Sequence, residues 1–185
     1  ESFAEHVRTR QALGEEVRDE HEAAAVAAAA RFGAVLASHD DTLVEHVERS
    51  VAHGIALAEF PTTLAAARAC HDHGIAVIMG APNLIRGGSH SGNVAAGELA
   101  EAGLLDILSS DYVPSALLYS AVKLGELWND LPRAMATVSS TPARAAGMQD
   151  RGEIAIDQRA DLIRFRTEGG VPILYGVWAA GRRVA

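Results

Sequence analysis

Four apolar runs, each ending in a polar cluster and followed by a helical pattern, constrain this chain more than any other feature. Ala34-Val35-Leu36-Ala37 stops at Ser38-His39-Asp40-Asp41, and Ile55-Ala56-Leu57-Ala58 stops at Glu59-Phe60-Pro61. Ile75-Ala76-Val77-Ile78-Met79 stops at Gly80-Ala81-Pro82-Asn83, and Leu104-Leu105-Asp106-Ile107-Leu108 stops at Ser109-Ser110-Asp111. The first three runs start 21 and then 20 residues apart. Helical spacing fills residues 42–53, 62–73, 94–102 and 115–127, with Gly54, Gly74 and Gly103 closing the first three. Asp41 or Thr42, and then Thr62 or Thr63, are suited to N-cap the first two helices. Strands alternating with helices predict a parallel sheet with right-handed crossovers. Runs that are apolar throughout fit strands covered on both faces. An open sheet and part of a (β/α)₈ barrel both satisfy this pattern.

The flanks read differently. Residues 1–32 are rich in Glu, Arg and Ala without proline and predict a solvated helix or helical hairpin. Residues 140–148 predict a short helix. After Gly152, residues 153–156, 161–165, 171–174 and 177–178 predict a few antiparallel strands punctuated by Gly169-Gly170 and Gly181. The expected organisation is a helical lead-in with strand–helix units over 1–149, then a small β subdomain over 150–185.

Composition narrows the function classes. The chain has 185 residues, 16 basic and 24 acidic side chains and a net charge of −8. An acidic balance argues against a general nucleic-acid binder. No stretch approaches the ~20 apolar residues of a membrane span, so no membrane partner is expected. One cysteine, Cys70, excludes a disulfide framework and points to a reducing, cytoplasmic setting. Aromatic residues are 5% of the chain, so Ala, Val, Ile and Leu must build the core, with Trp128, Trp178 and the Leu-rich stretch 117–131 as further core candidates. The start at Glu1 rather than Met suggests a portion of something longer.

The polar clusters carry the chemistry. In parallel α/β folds the carboxyl ends of the strands form the site-bearing face, so four separated segments are expected to converge there. His39 beside Asp40 and Asp41 can ligate a metal with a carboxylate orienting it, or serve as a structural hydrogen-bonding group. Asp111 can bind metal and accept a proton, or cap the next helix. Glu59, expected at a mostly buried position, needs a partner, either in a site or in a salt bridge. Residues 80–93 read as a glycine-rich loop holding Asn83, Arg86, Gly87, Gly88, Ser89, His90 and Asn93. Glycines let backbone N–H groups approach an anion, and Arg86 adds a forked cation suited to phosphate. No Gly-Lys-Ser/Thr follows, so this is not a Walker loop; the alternative is a flexible connection. His53, His71 and His73 lie at helix ends, where they complement the helix dipole. His46 is expected to point to solvent, and Cys70 to be buried.

The blocks Ser38-His39-Asp40-Asp41, Ala58-Glu59-Phe60-Pro61-Thr62-Thr63, Met79-Gly80-Ala81-Pro82-Asn83 and Arg86-Gly87-Gly88-Ser89-His90-Ser91-Gly92-Asn93, together with residues 105–114, resemble in order the signature blocks of the PhnM family, the phosphonate-metabolism branch of the metal-dependent amidohydrolases. Asp150-Arg151-Gly152 and Arg159-Ala160-Asp161-Leu162 resemble the return into the small β domain of amidohydrolases, where the family often has Gly in place of Asp157.

The resemblance implies the C-terminal half of a (β/α)₈ TIM-like metal-dependent hydrolase barrel, as four βα units with a small β appendage. It implies hydrolysis of a ribose 1-methylphosphonate 5-triphosphate to release diphosphate, with a divalent metal ion, Zn, Mn or similar. By position His39 resembles the fifth-strand metal histidine, and Glu59 stands where many amidohydrolases carry a sixth-strand histidine. Asp111 resembles the eighth-strand aspartate that binds metal and acts as general base; Arg86 and His90 would face the phosphates. The chain departs from the pattern in having no His-x-His pair on an apolar run. His71-Asp72-His73 precedes Gly74 at a helix end, and the only lysine, Lys123, lies beyond Asp111. Other amidohydrolase reactions, deamination or cyclic-amide hydrolysis, and a non-catalytic binding or assembly module are the competing readings. An open half-barrel has two unpaired edges, through which it would pair with another copy or another chain.

Overall fold

The computed structural model describes residues 2–89 and 91–185. The chain divides into a unit ending at Leu36 and a second from Ala37 to Ala185. The first is one helix, α1 (Phe3–Phe32), matching the expectation for residues 1–32. Ser2 caps it, its side chain accepting the Glu5 amide, and Gly33 ends it at φ 63°. The helix shows no continuous apolar stripe, as expected for a solvated one.

The second unit carries the predicted strand–helix repeat. Four strands, β1 (Ala37–His39), β2 (Leu57–Glu59), β3 (Ala76–Gly80) and β4 (Ile107–Ser109), form a parallel sheet in chain order. Ala37 stands beside Leu57, Leu57 beside Ala76, and Ile78 beside Ile107. Every strand begins and ends later than the apolar run predicts, so His39, Glu59, Gly80 and Ser109 are the last strand residues rather than loop residues. The backbone ladder sets these ends, and the side chains follow it.

Helices α2 (Val44–Ala52), α3 (Leu64–Asp72), α4 (Ala81–Arg86), α5 (Ala96–Glu101) and α6 (Ala116–Trp128) connect and follow the strands. Thr63 caps α3 by accepting the Ala66 amide at 3.1 Å, as predicted. Neither Asp41 nor Thr42 caps α2. Leu43 stands at that position without a side-chain bond, and the Thr42 amide donates to Nδ1 of His46 at 3.2 Å. His46 is exposed, but its ring serves as a local acceptor. The segment 80–93 is not wholly a loop: residues 81–86 are helical because Pro82 at the helix start presets φ. Lys123 donates to the carbonyls of Leu84 and Ile85, at 3.0 and 3.1 Å, and so satisfies the end of α4.

The core lies between the sheet and its helices and is built from small and branched residues, among them Val47, Ala66, Cys70, Val77, Leu99 and Leu124. Trp128 packs against it and its indole donates to the Ala100 carbonyl at 3.0 Å. Leu127, in the last turn of α6, and Leu131, which opens the next helix, were expected in the core and are 45% and 43% exposed.

Two short helices, α7 (Leu131–Ala136) and α8 (Ser140–Ala145), precede a three-stranded antiparallel sheet of β5 (Leu162–Glu168), β6 (Val171–Ala179) and β7 (Arg182–Arg183). The predicted strand at 153–156 is absent; Ile154 lies in irregular backbone and Ile156 in a turn, and both are largely exposed. The runs 171–174 and 177–178 are one continuous strand, with the irregularity falling between Arg164 and Phe165 of its partner. Asp157 has φ 66°, the left-handed region that glycine enters freely, which accounts for glycine being suited to that position.

Candidate active site

The carboxyl end of the parallel sheet is backbone-strained in a regular way. Asp40 directly follows β1 at φ 60°, Phe60 directly follows β2 at φ 56°, and Asp111 comes two residues after β4 at φ 50°. Left-handed backbone at non-glycine residues costs ~1–3 kcal/mol each and persists where the surroundings over-determine it. Here the ladder does so: the Asp40 amide donates to the Glu59 carbonyl at 3.0 Å and the Phe60 amide to the Ile78 carbonyl at 2.9 Å. After β1 and β2 the chain makes one more ladder bond before it turns into its loop, and after β4 the Asp111 amide instead donates to the Ser109 hydroxyl at 3.3 Å. The loops are tied to each other as well, through Thr62 to the Asp41 carbonyl, Thr63 to the Thr42 carbonyl, and Val94 to the Thr62 carbonyl.

These turns frame a cleft of about 150 Å³ lined by Asp40, Phe60, Asn83, Arg86, Ser89, Asn93, Asp111 and Tyr112, with Met79 and Gly80 in its floor. Gly80 leaves room for Asp111: a Cβ at this position would stand 3.2 Å from Oδ2 of Asp111 and 3.6 Å from the Phe60 ring. Gly80 has φ −73°, which any residue adopts, so space rather than backbone conformation accounts for the glycine. Arg86 ends α4 and reaches along the wall, Nη1 toward the Tyr112 hydroxyl at 3.5 Å and Nη2 toward the Gly88 carbonyl at 3.4 Å.

Asn83, Arg86, Ser89, Asn93 and Asp111 thus share one cleft. Asn83 has a structural duty too, its Oδ1 accepting the Ala96 amide at 2.9 Å. Gly87 and Gly88 are not wall residues: Gly87 ends α4 at φ 78°, and Gly88 holds the Arg86 guanidinium. His90 lies outside the described residues. His39 and Glu59 adjoin the cleft behind Phe60. The His39 ring meets the Phe60 ring edge-on at 5.3 Å between centroids. Its Nδ1 is 3.0 Å from Asp40 Oδ2 and its Nε2 is 3.8 Å from Glu59 Oε2. Glu59 is not mostly buried as expected; its side chain is 37% exposed and that of His39 is 56% exposed. Phe60 and Tyr112, which form two walls, were not singled out from the sequence; the signal for both is adjacency, each directly following a candidate acid.

Donor chemistry for a divalent metal is therefore present, one imidazole and carboxylates on neighbouring strand ends. The number is short. Among the described residues, no three of His, Cys, Asp and Glu stand together closely enough to hold an ion. His39 ends the first strand and Asp111 follows the fourth, strands three spacings or ~14 Å of sheet apart. A tetrahedral zinc site takes three or four protein ligands, so the residues gathered here fall short of such a set.

Sequential parallel βα units with their kinked, polar strand ends on one face make this unit a parallel α/β fold of the kind that forms part of a (β/α)₈ barrel. An amidohydrolase from Thermotoga maritima superposes with a TM-score of 0.64 at 16% identity, over 82% of this chain and 43% of that one. An adenosine deaminase from Xanthomonas campestris with bound zinc superposes with a TM-score of 0.53 at 18% identity, over 84% and 46%. No family model matches the sequence. The alpha-D-ribose 1-methylphosphonate 5-triphosphate diphosphatase of Escherichia coli strain K12 is 50% identical over 152 residues. The chain is thus similar to a portion of that diphosphatase. The match takes in 80% of the chain and spans 40% of the relative's length. Among the described residues no helix is long and apolar enough to cross a membrane.

Proposed function

We propose that this chain carries the phosphate-binding and proton-accepting portion of a metal-dependent phosphoanhydride hydrolase that releases diphosphate from a ribosyl triphosphate of phosphonate metabolism. The observation that carries this reading is that Arg86, Ser89 and Asn93 line the same cleft as Asp111. Arg86 offers parallel N–H donors to a phosphoryl group, and Ser89 and Asn93 add uncharged donors. Asp111 Oδ2, seated over Gly80, accepts a proton from the attacking water. Two carboxylates, Asp40 and Asp111, share the cleft with one described arginine. An anionic substrate there calls for further positive charge, which favours divalent-cation binding with His39 and Glu59 as one pair of donors, Asp111 as a separate donor, and further ligands from outside this chain. When bound, such an ion supplies Lewis-acid polarisation of a phosphoryl oxygen. Its identity, zinc, manganese or another, is left to measurement. The single buried cysteine fits a reducing, cytoplasmic setting.

The test is diphosphate release from ribosyl and nucleoside triphosphates, with and without added Zn²⁺ or Mn²⁺. It is run on this chain and on a full-length enzyme containing these residues. Metal-dependent release by the full-length enzyme is expected. A full-length enzyme that binds metal and leaves triphosphates intact, while deaminating or opening cyclic amides, overturns the reading.

The short donor set favours a second reading for the chain by itself, a module that binds phosphates without turning them over. Its outer strands β1 and β4 each pair on one side within the sheet. A sheet with two open edges is prone to pairing, so association with a second copy or a complementing chain accompanies this reading.

A further inference from the structure

We propose that Tyr112 is a ligand-binding residue of the cleft, its phenol donating a hydrogen bond to a phosphoryl oxygen that Arg86 also holds. The proposal deepens the phosphoanhydride reading above and rests on it. Asp111, at φ 50°, turns the chain out of line with β4, and the Val113 amide closes the turn onto the Ser110 carbonyl at 3.0 Å. The turn sets the Tyr112 ring on the cleft wall beside Arg86, with Ser89 and Asn93 on the same lining. The ring is 62% exposed, so core packing does not explain it.

The hydrogen-bond bookkeeping gives the direction. A guanidinium has donors and no acceptor, whereas a phenol has one proton and can also accept. In the Arg86–Tyr112 contact the phenol oxygen is therefore the acceptor, and its own proton must point to some other acceptor. The Arg86 contacts to Tyr112 and to Gly88 are long, 3.5 Å and 3.4 Å. Long bonds are weak ones, so a ligand oxygen can enter between guanidinium and phenol with little loss. An oxyanion seated there takes N–H donors from Arg86 and the O–H of Tyr112 on one oxygen edge. A neutral sugar hydroxyl gains less from the same pair, because donors to a charged acceptor form the stronger bonds. The pair thus selects for a phosphoryl group over an uncharged ring at this end of the cleft.

Inorganic diphosphate is the probe, titrated calorimetrically against the 185-residue chain at fixed ionic strength with Mg²⁺ present. The comparison is between the unaltered chain, Tyr112→Phe and Arg86→Ala, with circular dichroism and melting curves confirming the fold. Tyr112→Phe keeps the ring and removes the donor. It should weaken diphosphate on the order of tenfold, as expected for one hydrogen bond to a charged group, with an unchanged melting temperature. Arg86→Ala should weaken it further. If Tyr112→Phe binds as the unaltered chain does while Arg86→Ala is weakened, the role of Tyr112 is overturned and the phosphate reading survives. If the unaltered chain binds no diphosphate, both fall together.

Discussion

The two ends of the parallel sheet use the same residue types for opposite purposes. At the amino end, His71 on α3 and Asp106 just before β4 form a closed unit: His71 Nε2 meets Asp106 Oδ2 at 2.8 Å, and the same oxygen accepts the Val77 amide at 2.8 Å. At the carboxyl end, His39 and Asp40 are more than half exposed, Glu59 is partly exposed and Asp111 is exposed, and three left-handed residues turn the chain there. The first end spends its polar groups on the fold; the second keeps donors and acceptors available at a strained backbone. This is the division expected of parallel α/β folds, in which the strands' carboxyl ends bear chemistry and the opposite end bears stability.

The sharpest way to break the comparison is at its two aspartates. Asp111→Asn keeps size and removes the proton acceptor. In a full-length enzyme carrying these residues, kcat should fall about 10²–10⁴-fold. The melting temperature of the chain should barely move, because substitutions of exposed residues usually cost less than ~0.5 kcal/mol. Retained turnover would remove Asp111 from the mechanism. Asp106→Ala should do the reverse. It leaves the buried Val77 amide without its acceptor and His71 without its partner. The expected cost is about 2 kcal/mol, read as a melting temperature lower by ~4–8 °C in a chain of this size. Diphosphate affinity should stay unchanged. If Asp106→Ala weakened ligand binding and left stability alone, the assignment of the two ends would be reversed.

The sequence made this division only partly legible. Strand order and the gathering of polar segments at one rim follow from the spacing of apolar runs and from crossover handedness. The rim residues themselves were legible by type, since His39, Asp111 and Arg86 have few reasons to terminate apolar runs or a glycine-rich stretch together. The strand boundaries were not, because the ladder bonds that carry each strand one residue into its polar cluster depend on the neighbouring strand. The helix at 81–86 was masked by the glycines that follow it. Its capping by Lys123 comes from α6, some forty residues away, and leaves no local signal. Tyr112 gave only its adjacency to Asp111: one tyrosine after an aspartate becomes a wall residue through the left-handed turn at 111. His71-Asp72-His73 shows the converse. A metal-like spacing resolves into one ring tied to Asp106 and another at a helix C-cap, His73.

The smallest effect tests whether the rim and the core beneath it are coupled. Cys70, fully buried on α3, has its thiol pushed up to about 11, first by burial and then by the negative charge of Asp41. Asp41 is itself buried under the carboxyl-end rim, where it accepts the Ser38 hydroxyl. A thiol that ionises at about 11 when folded and at the ordinary 9.0 when unfolded is favoured by the fold in its neutral form. Its contribution to stability is complete below pH 9 and is lost as the pH rises from 9 through 11. Asp41→Asn removes the like charge and keeps the shape. The thiol should then titrate below about 11 and still above 9.0, because burial is the larger cause. Thiolate absorbance against pH, on the unaltered chain and on Asp41→Asn, reads both expectations. Titration at 9.0 in the unaltered chain would mean that α3 does not seal against the sheet. An unchanged curve in Asp41→Asn would mean that the rim's buried carboxylate acts on the loops above it and not on the core below.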